Sequence, residues 1–341
     1  MNSQRTRWMA SATASIGVAA LALSACSSGQ SHGDSGASGG GTKSGHLTIT
    51  YLQKQRNQEY FLGEGAGATA EAAKLGNVSI NFVDLGTDSN KAISALDTVI
   101  GQKVDGIAIV VPDQKIGPQV IGAAGSIPLI ASDDPIKDGN GKPAAFVGFD
   151  SKQMGNSVGK KAGELFKSAG WKPSDTAILA AYSQGLSDCQ DRESGEEAGF
   201  AAAAGASVKV VKIGTDNSVV DAQNRAGAAI TANPHVKHWI AWGCNDESET
   251  GVVTALQNSG VHSADIIGVG LGAYLTCKDW AAGKASGNKA ALFIDGRAVG
   301  AAAVDALVAR LRNGTPLPPV SIAKTTMVDA TNYKQAGVKC S

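Results

Sequence analysis

The sequence predicts an α/β fold of two doubly wound parallel-sheet lobes. Short apolar runs recur along the chain, and each is followed by a segment long enough for a helix, as in βαβ units. Several of the runs, Val104–Val111 most clearly, are continuous rather than alternating, as in strands covered on both faces. They fall into two successive series, each about the size of one domain, and the 341-residue chain has room for both.

The first series opens with Leu47–Leu52 (LTITYL), a short buried strand. An Ala- and Glu-rich stretch from about Tyr60 to Leu75 reads as a helix. Val78–Val83 is the next strand, with a helix from about Asn90 to Gln102. Val104–Val111 (VDGIAIVV), Ile127–Ala131 and Ala145–Phe149 are further strands, and a helix over Ser151–Ala169 leads onward. The second series has strands at Thr176–Ala181, Val208–Ile213, Lys237–Gly243 and Asp265–Val269, with helices between. Asp246 followed by Glu249 has the spacing of a capping box at a helix start. Trp239 and Trp242 lie on a strand and read as core residues.

Composition narrows the function. The chain has 30 Lys+Arg against 30 Asp+Glu, and this balance argues against a nucleic-acid binder, which carries a concentrated basic surplus. Five Cys in a chain this long are not a disulfide scaffold.

The start of the chain carries a targeting pattern. Arg5 and Arg7 form a basic region, and an apolar stretch from about Met9 to Ala22 follows, too short to span a bilayer. It ends in Leu23-Ser24-Ala25-Cys26, which resembles the lipobox of bacterial lipoproteins, in which the Cys is acylated and becomes the new N-terminus. Ser27 to Gly45 is mostly Gly and Ser, a flexible tether that cannot bury apolar surface. The expectation is a signal peptide over 1–25, then Cys26 and a tether over 26–45. The body would be held on the extracytoplasmic face of the cell membrane by a lipid.

In open α/β sheets ligands bind beyond the carboxyl ends of the strands. The first strand leads to Lys54-Gln55-Arg56-Asn57-Gln58-Glu59-Tyr60-Phe61, and the fourth to Asp133-Asp134-Pro135. In the second series the corresponding ends deliver Asp188, Cys189, Asp191 and Arg192, then Cys244-Asn245-Asp246. Carboxylates accept from several hydroxyls, Arg and Asn supply matching donors, and aromatic faces pack on C–H surfaces. This is the chemistry of a sugar or polyol pocket. Each residue also has a plainer reading: a polar turn for the Asp pair, a helix-surface charge for Arg192, a cap for Asn245-Asp246, a solvated loop carboxylate for Asp191. Tyr60 and Phe61 could equally be core residues of the first helix. His235 and His238 read as structural or exposed. Cys189, Cys244, Cys277 and Cys340 are candidates for disulfides whose pairing the sequence leaves open. No metal-ligand spacing appears.

Pro112-Asp113-Gln114-Lys115-Ile116-Gly117, Ile130-Ala131-Ser132-Asp133-Asp134 and Gly141-Lys142-Pro143 resemble the sugar-binding proteins of bacterial ABC importers, and among them the L-arabinose-binding proteins. So do Asn233-Pro234-His235-Val236-Lys237-His238-Trp239, Asn245-Asp246 and Ala264-Asp265-Ile266-Ile267-Gly268-Val269-Gly270, and the similarity runs in order from about Leu47 to Tyr333. The resemblance implies the type I periplasmic binding protein fold, with two lobes joined by a three-segment hinge that closes on a sugar. It places the first lobe at 46–149 plus about 293–326, and the second at 150–292 plus about 327–341. It implies that Lys54, Asp133 and Asp134 hold sugar hydroxyls from the first lobe and Arg192 and Asn245 from the second. Tyr60 and Phe61 fall where the family sets an aromatic pair against the ring, and Phe149 near a contact close to the first crossing. Departures bear on which sugar is bound. Gln58 stands where the arabinose proteins have a carboxylate and Asp188 where they have a Thr. Their later Asn and Asp would fall near Gly272 and Leu275.

Competing classes fit less well. Gly268-Val269-Gly270-Leu271-Gly272 is not the dinucleotide fingerprint, and no nucleophile elbow occurs. Adjacent carboxylates on one turn do not flank a bond as glycosidases require. A sugar-responsive repressor would need a DNA-binding unit where this chain has a leader and tether. The expectation is therefore a monomeric, cofactor-free and non-enzymatic binding protein that delivers a monosaccharide, such as a pentose, to an ABC permease and its ATPase. Alternatives within binding proteins are a sensor that presents ligand to a membrane receptor, and a different ligand: another sugar, a polyol or an autoinducer-type furanose.

Overall fold

The computed structural model describes residues 43–340. Cys26, the leader and most of the tether lie outside the described residues. In chain order the first lobe is built from β1 (Leu47–Gln53), α1 (Glu59–Leu75), β2 (Val78–Asp84), α2 (Ser89–Gly101), β3 (Gly106–Ile109), α3 (Gly117–Ala124), β4 (Leu129–Ser132) and β5 (Ala145–Gly148). The chain then crosses into the second lobe for α4 (Ser151–Ala169), β6 (Thr176–Tyr182), α5 (Ser187–Ala204), β7 (Lys209–Gly214), α6 (Val219–Thr231), β8 (His238–Gly243), α7 (Asp246–Asn258), β9 (Ile266–Gly272), α8 (Cys277–Ala281) and β10 (Asn288–Ile294). It returns for α9 (Gly296–Asn313) and β11 (Ser321–Ile322), and crosses a third time into β12 (Thr325–Val328).

The two sheets run β11-β5-β4-β3-β1-β2 and β12-β10-β9-β8-β6-β7. Every pairing is parallel except β12, which runs antiparallel to β10. The expected pair of doubly wound lobes joined by three crossing segments is therefore present. One predicted strand shrinks. Within 104–111 only Gly106–Ile109 pairs with β1, opposite Ile49–Leu52. The chain enters that strand from a left-handed turn at Lys103 and leaves it towards Pro112, which has no amide to donate. The sequence pattern did not reveal β10, α9, β11 or β12 as elements.

Both lobes use glycine to bring two helices into backbone contact. A Cβ on Gly67 of α1 would lie 2.0 Å from the Arg297 carbonyl, and one on Gly300 of α9 would lie 1.9 Å from the Glu64 carbonyl. The second lobe repeats the device: a Cβ on Gly155 or Gly159 of α4 would lie 2.0 or 1.9 Å from the carbonyls of Arg192 and Glu196. Trp239 and Trp242 are buried, as expected for core residues. His235 is exposed, and His238 stacks on Trp171. The four thiols left open by sequence form two disulfides, Cys189–Cys244 and Cys277–Cys340. No helix among the described residues is long and apolar enough to cross a membrane.

Candidate functional site

A cleft lies between the carboxyl ends of the two sheets. Lys54, Gln55 and Gln58 reach it from the segment after β1, and Tyr60 and Phe61 from the first turn of α1. Asp133 follows β4 and Phe149 follows β5. The opposite wall is Leu186, Asp188 and Arg192 after β6, Asn217 after β7, Cys244 to Glu247 after β8, Leu271, Gly272 and Tyr274 at the end of β9, and Ile294. These side chains surround about 540 Å³ of space, part of it continuous with solvent.

From the first lobe one carboxylate, Asp133, faces the cleft, and a second, Glu64, is buried nearby. Glu64 is fully buried and accepts from Tyr51 and Ser132, both at 2.6 Å, and from Gln53. Asp133 sits in a left-handed turn at φ 59°, and one of its oxygens accepts from the Tyr60 hydroxyl at 2.5 Å. Its other oxygen, Oδ2, has no partner. Burial, then the nearby Glu64 charge, pushes Asp133 well above the usual carboxylate range. Tyr60 packs edge-on against Phe61 and Phe149, with centroids 5.1 and 6.2 Å away, so the three rings form an apolar patch beside the carboxylate.

A charge chain links the two walls. Lys54 Nζ lies 2.7 Å from Asp134 Oδ2 and 3.1 Å from Asp188 Oδ1. Asp188 Oδ2 is 3.3 Å from Arg192, and Arg192 Nη1 donates to the Cys244 carbonyl at 2.8 Å. Burial alone would raise Asp188, but Lys54 and Arg192 outweigh it and hold the carboxyl below its ordinary value. Burial wins at Asp134, which is pushed up to about 7 despite Lys54. Arg192 Nε has no protein partner. Further bonds close the lobes on each other. Gln55 and Gln58 donate across the cleft to the carbonyls of Asp216 and Asn217, at 3.3 and 3.2 Å, and Ser187 Oγ accepts from the Gln114 amide at 3.1 Å.

Of the ten residues singled out by sequence, nine line this cleft: Lys54, Gln58, Tyr60, Phe61, Asp133, Phe149, Asp188, Arg192 and Asn245. Asp134 does not. The turn at Asp133 sends the two neighbouring carboxylates to different places, and Asp134 is spent on Lys54 behind the wall. The expected capping box does not form, and the cap falls one residue earlier. Asn245 is extended at φ −146° and caps α7 by accepting from the Ser248 amide, while its Nδ2 donates to the Asn217 carbonyl. Asp246 accepts instead from the amides of Ala273, Leu275 and Thr276 and from the Thr276 hydroxyl, and so fixes the turn that carries Tyr274. Asp191 is exposed, but on α5 rather than in a loop.

Sequence reasoning missed Asn217, Glu247 and Tyr274. Asn217 presents a backbone carbonyl from a left-handed turn at φ 66°, which no side-chain pattern encodes. Glu247 is pushed up to about 7 by burial and by the adjacent Asp246. Tyr274 enters because its turn folds back on Asp246, and its hydroxyl donates to the Ile294 carbonyl.

A family model described as periplasmic binding protein domain matches residues 49–315. The ABC transporter L-arabinose-binding periplasmic protein of Azospirillum brasilense is 28% identical over 232 residues, 66% of this chain and 69% of the relative. The L-arabinose-binding periplasmic protein of Escherichia coli (strain K12) is 27% identical over 232 residues, 66% of this chain and 70% of the relative. Among solved structures, a carbohydrate transporter solute binding protein from Agrobacterium radiobacter in complex with D-arabinose superposes with a TM-score of 0.74 at 20% identity, covering 87% of this chain and 98% of that one. An ABC transporter solute binding protein from Mycobacterium smegmatis with bound glycerol gives 0.71 at 23% identity, covering 85% and 96%. At these identities the solved structures share the fold.

Proposed function

The chain belongs to the periplasmic binding protein domain family, and from that premise we propose that it captures a monosaccharide between its lobes and delivers it to an ABC importer. One observation carries the reading. Asp133 Oδ2 from the first lobe and Arg192 Nε from the second are buried polar atoms without a protein partner, in residues that line the same cleft. A buried acceptor or donor left unpaired is costly, so each is suited to a ligand hydroxyl. The Tyr60, Phe61 and Phe149 rings beside them offer an apolar face to C–H groups.

Capture is a shift between open and shut forms. A ligand that bonds to both walls favours the shut form by its differential affinity. The chain's own residues bind and orient, and no bond of the ligand is made or broken. The names of the curated relatives favour a pentose such as arabinose. Of the sequence departures, Gln58 gives its amide to Asn217, and Asp188 serves Lys54 and Arg192. The sugar's identity therefore turns on Asp133, Arg192 and the apolar wall. Acylation of Cys26 would hold the body at the membrane, and a Cys26→Ala chain recovered in the soluble fraction is the expected result.

Calorimetry of the purified protein against pentoses, hexoses, polyols and furanoses tests the reading. One sugar bound at micromolar strength or tighter is expected. Silence across the panel from folded protein would reject the monosaccharide.

A further inference from the structure

We propose that the Cys189–Cys244 disulfide is the positioning element of the second-lobe wall, fixing the first turns of α5 and α7 and so holding Asp188 and Asn245 in the cleft wall beside Arg192. The proposal rests on the reading of the cleft as a ligand site.

The bridge sits between the residues it would position. Cys189 follows Asp188 and Cys244 precedes Asn245, and both cysteines are buried. Helices α5 and α7 do not share a layer. Alternate side chains of β6 pack with α4 and α5 on one face (Ile178, Ala180, Tyr182) and with α7 on the other (Ala177, Leu179, Ala181). The disulfide therefore joins two helix starts across the carboxyl end of the sheet, where packing of one helix on the other does not set their register. Two hydrogen bonds converge on it: Arg192 Nη1 donates to the Cys244 carbonyl at 2.8 Å, and Asn217 Nδ2 donates to Cys189 Sγ at 3.4 Å. Three strand ends of the wall, after β6, β7 and β8, are thus tied at one point.

Within its own lobe the first turn of α5 has few other ties. Its N-cap is Leu186, no side chain caps it, and Ser187 and Asp188 bond to Gln114 and Lys54 of the other lobe. From Arg192 onward α5 is clamped to α4 by the backbone contacts at Gly155 and Gly159, so the bridge acts on the turn before it. Loss of the bridge would loosen the end that carries Asp188 while the body of the helix stays in place. A ligand would then have to order that end on binding, at a cost in affinity.

The second disulfide supplies a matched control. Cys277–Cys340 closes a loop of similar length, with a sequence separation of 63 against 55, so the two removals perturb the unfolded chain similarly. Neither of its cysteines lines the cleft, and Asp246 fixes the nearby Tyr274 turn without it.

The experiment compares full-chain Cys189→Ala/Cys244→Ala with Cys277→Ala/Cys340→Ala. Amide hydrogen exchange is measured without ligand, and affinity is measured for L-arabinose, D-ribose, D-allose and myo-inositol. The first variant is expected to exchange at least tenfold faster over residues 188–192 and 245–248, and to bind any sugar that binds the unaltered protein at least tenfold more weakly. The second variant should change neither by more than about twofold. Unchanged exchange and affinity in the first variant, or equal losses in both, would overturn the proposal. A first variant that does not fold would also overturn it, because the bridge would then serve the fold as a whole rather than the wall. If no sugar binds the unaltered protein, the monosaccharide reading fails on its own and the exchange rates alone decide the role of the bridge.

Discussion

Lys54 Nζ lies 3.1 Å from an Asp188 carboxylate oxygen, and the two residues belong to opposite walls of the cleft. Lys54 also holds Asp134 from its own lobe, so one buried cation is shared by two buried carboxylates, of which Arg192 also meets Asp188. Breaking a buried pair by deleting one partner leaves an uncompensated charge, which costs about 3–5 kcal/mol. Asp188 and Lys54 come from opposite lobes, so opening would part them and much of that cost would fall on closure. Lys54→Met is expected to weaken sugar binding by about thirtyfold or more, about 2 kcal/mol. Calorimetry measures this, and small-angle scattering would show a shift to the open form. Unchanged affinity in folded protein would remove the pair from the closing mechanism.

Asp133 and Asp134 separate by substitution. Asp133→Ala deletes the unpartnered acceptor and the Tyr60 anchor, and should abolish measurable binding. Asp134→Asn acts only through Lys54 and should cost about tenfold, in the range of one weakened charge-assisted bond. Equal losses would mean that Asp134 also meets the ligand.

Gly155→Ala is a test at a distance. Its methyl would meet the Arg192 carbonyl at 2.0 Å, which forces α5 away from α4. Overpacking of this kind costs about 1–3 kcal/mol. Urea denaturation should show that loss, and affinity should fall with it because Arg192 moves. A stable variant that binds normally would contradict the rigid contact.

Stability should fall as pH rises from about 4 to about 7. Glu247 and Asp134 are both pushed up to about 7, so the folded chain keeps protons that the unfolded chain releases near its ordinary 4.5 and 3.8. Their contribution is fully present below the unfolded values and is lost through the folded ones, by up to about 1.4 kcal/mol per pH unit for each group. Asp188 has the opposite sign: it is held low, and its contribution is lost only as pH falls below the ordinary aspartate value. Denaturation midpoints across this range check the slope, and Glu247→Gln should flatten it.

The β-strand ends were legible because the residues after β1, β4, β6 and β8 are polar runs that break apolar ones. The chain after β9 was less so. Of the elements not recognised, β11 is two residues long and β12 runs antiparallel and half-buried, so neither leaves a buried apolar run. Within the site, Asp133 and Asp134 are alike in sequence and part only through a positive φ. Asp246 has a capping residue's spacing, yet Asn245 adopts the extended conformation that caps. The missed Asn217 faces the other lobe with its carbonyl, which a left-handed turn directs. What escaped the sequence was backbone direction, not residue chemistry.

Gln55 and Gln58 grip two successive carbonyls on the far wall, and neither bond needs a guest. An empty molecule therefore has its own reasons to shut. The fraction of time it does so is a standing population of vacant, shut carriers, which an importer that recognised only the outer shape would engage to no purpose. The same fraction lowers the closing cost left for the sugar, so tighter capture and more idle docking rise together. Single-molecule distance measurements across the cleft, with and without sugar, would give that fraction. Replacing both glutamines with alanine should lower it while slowing capture little.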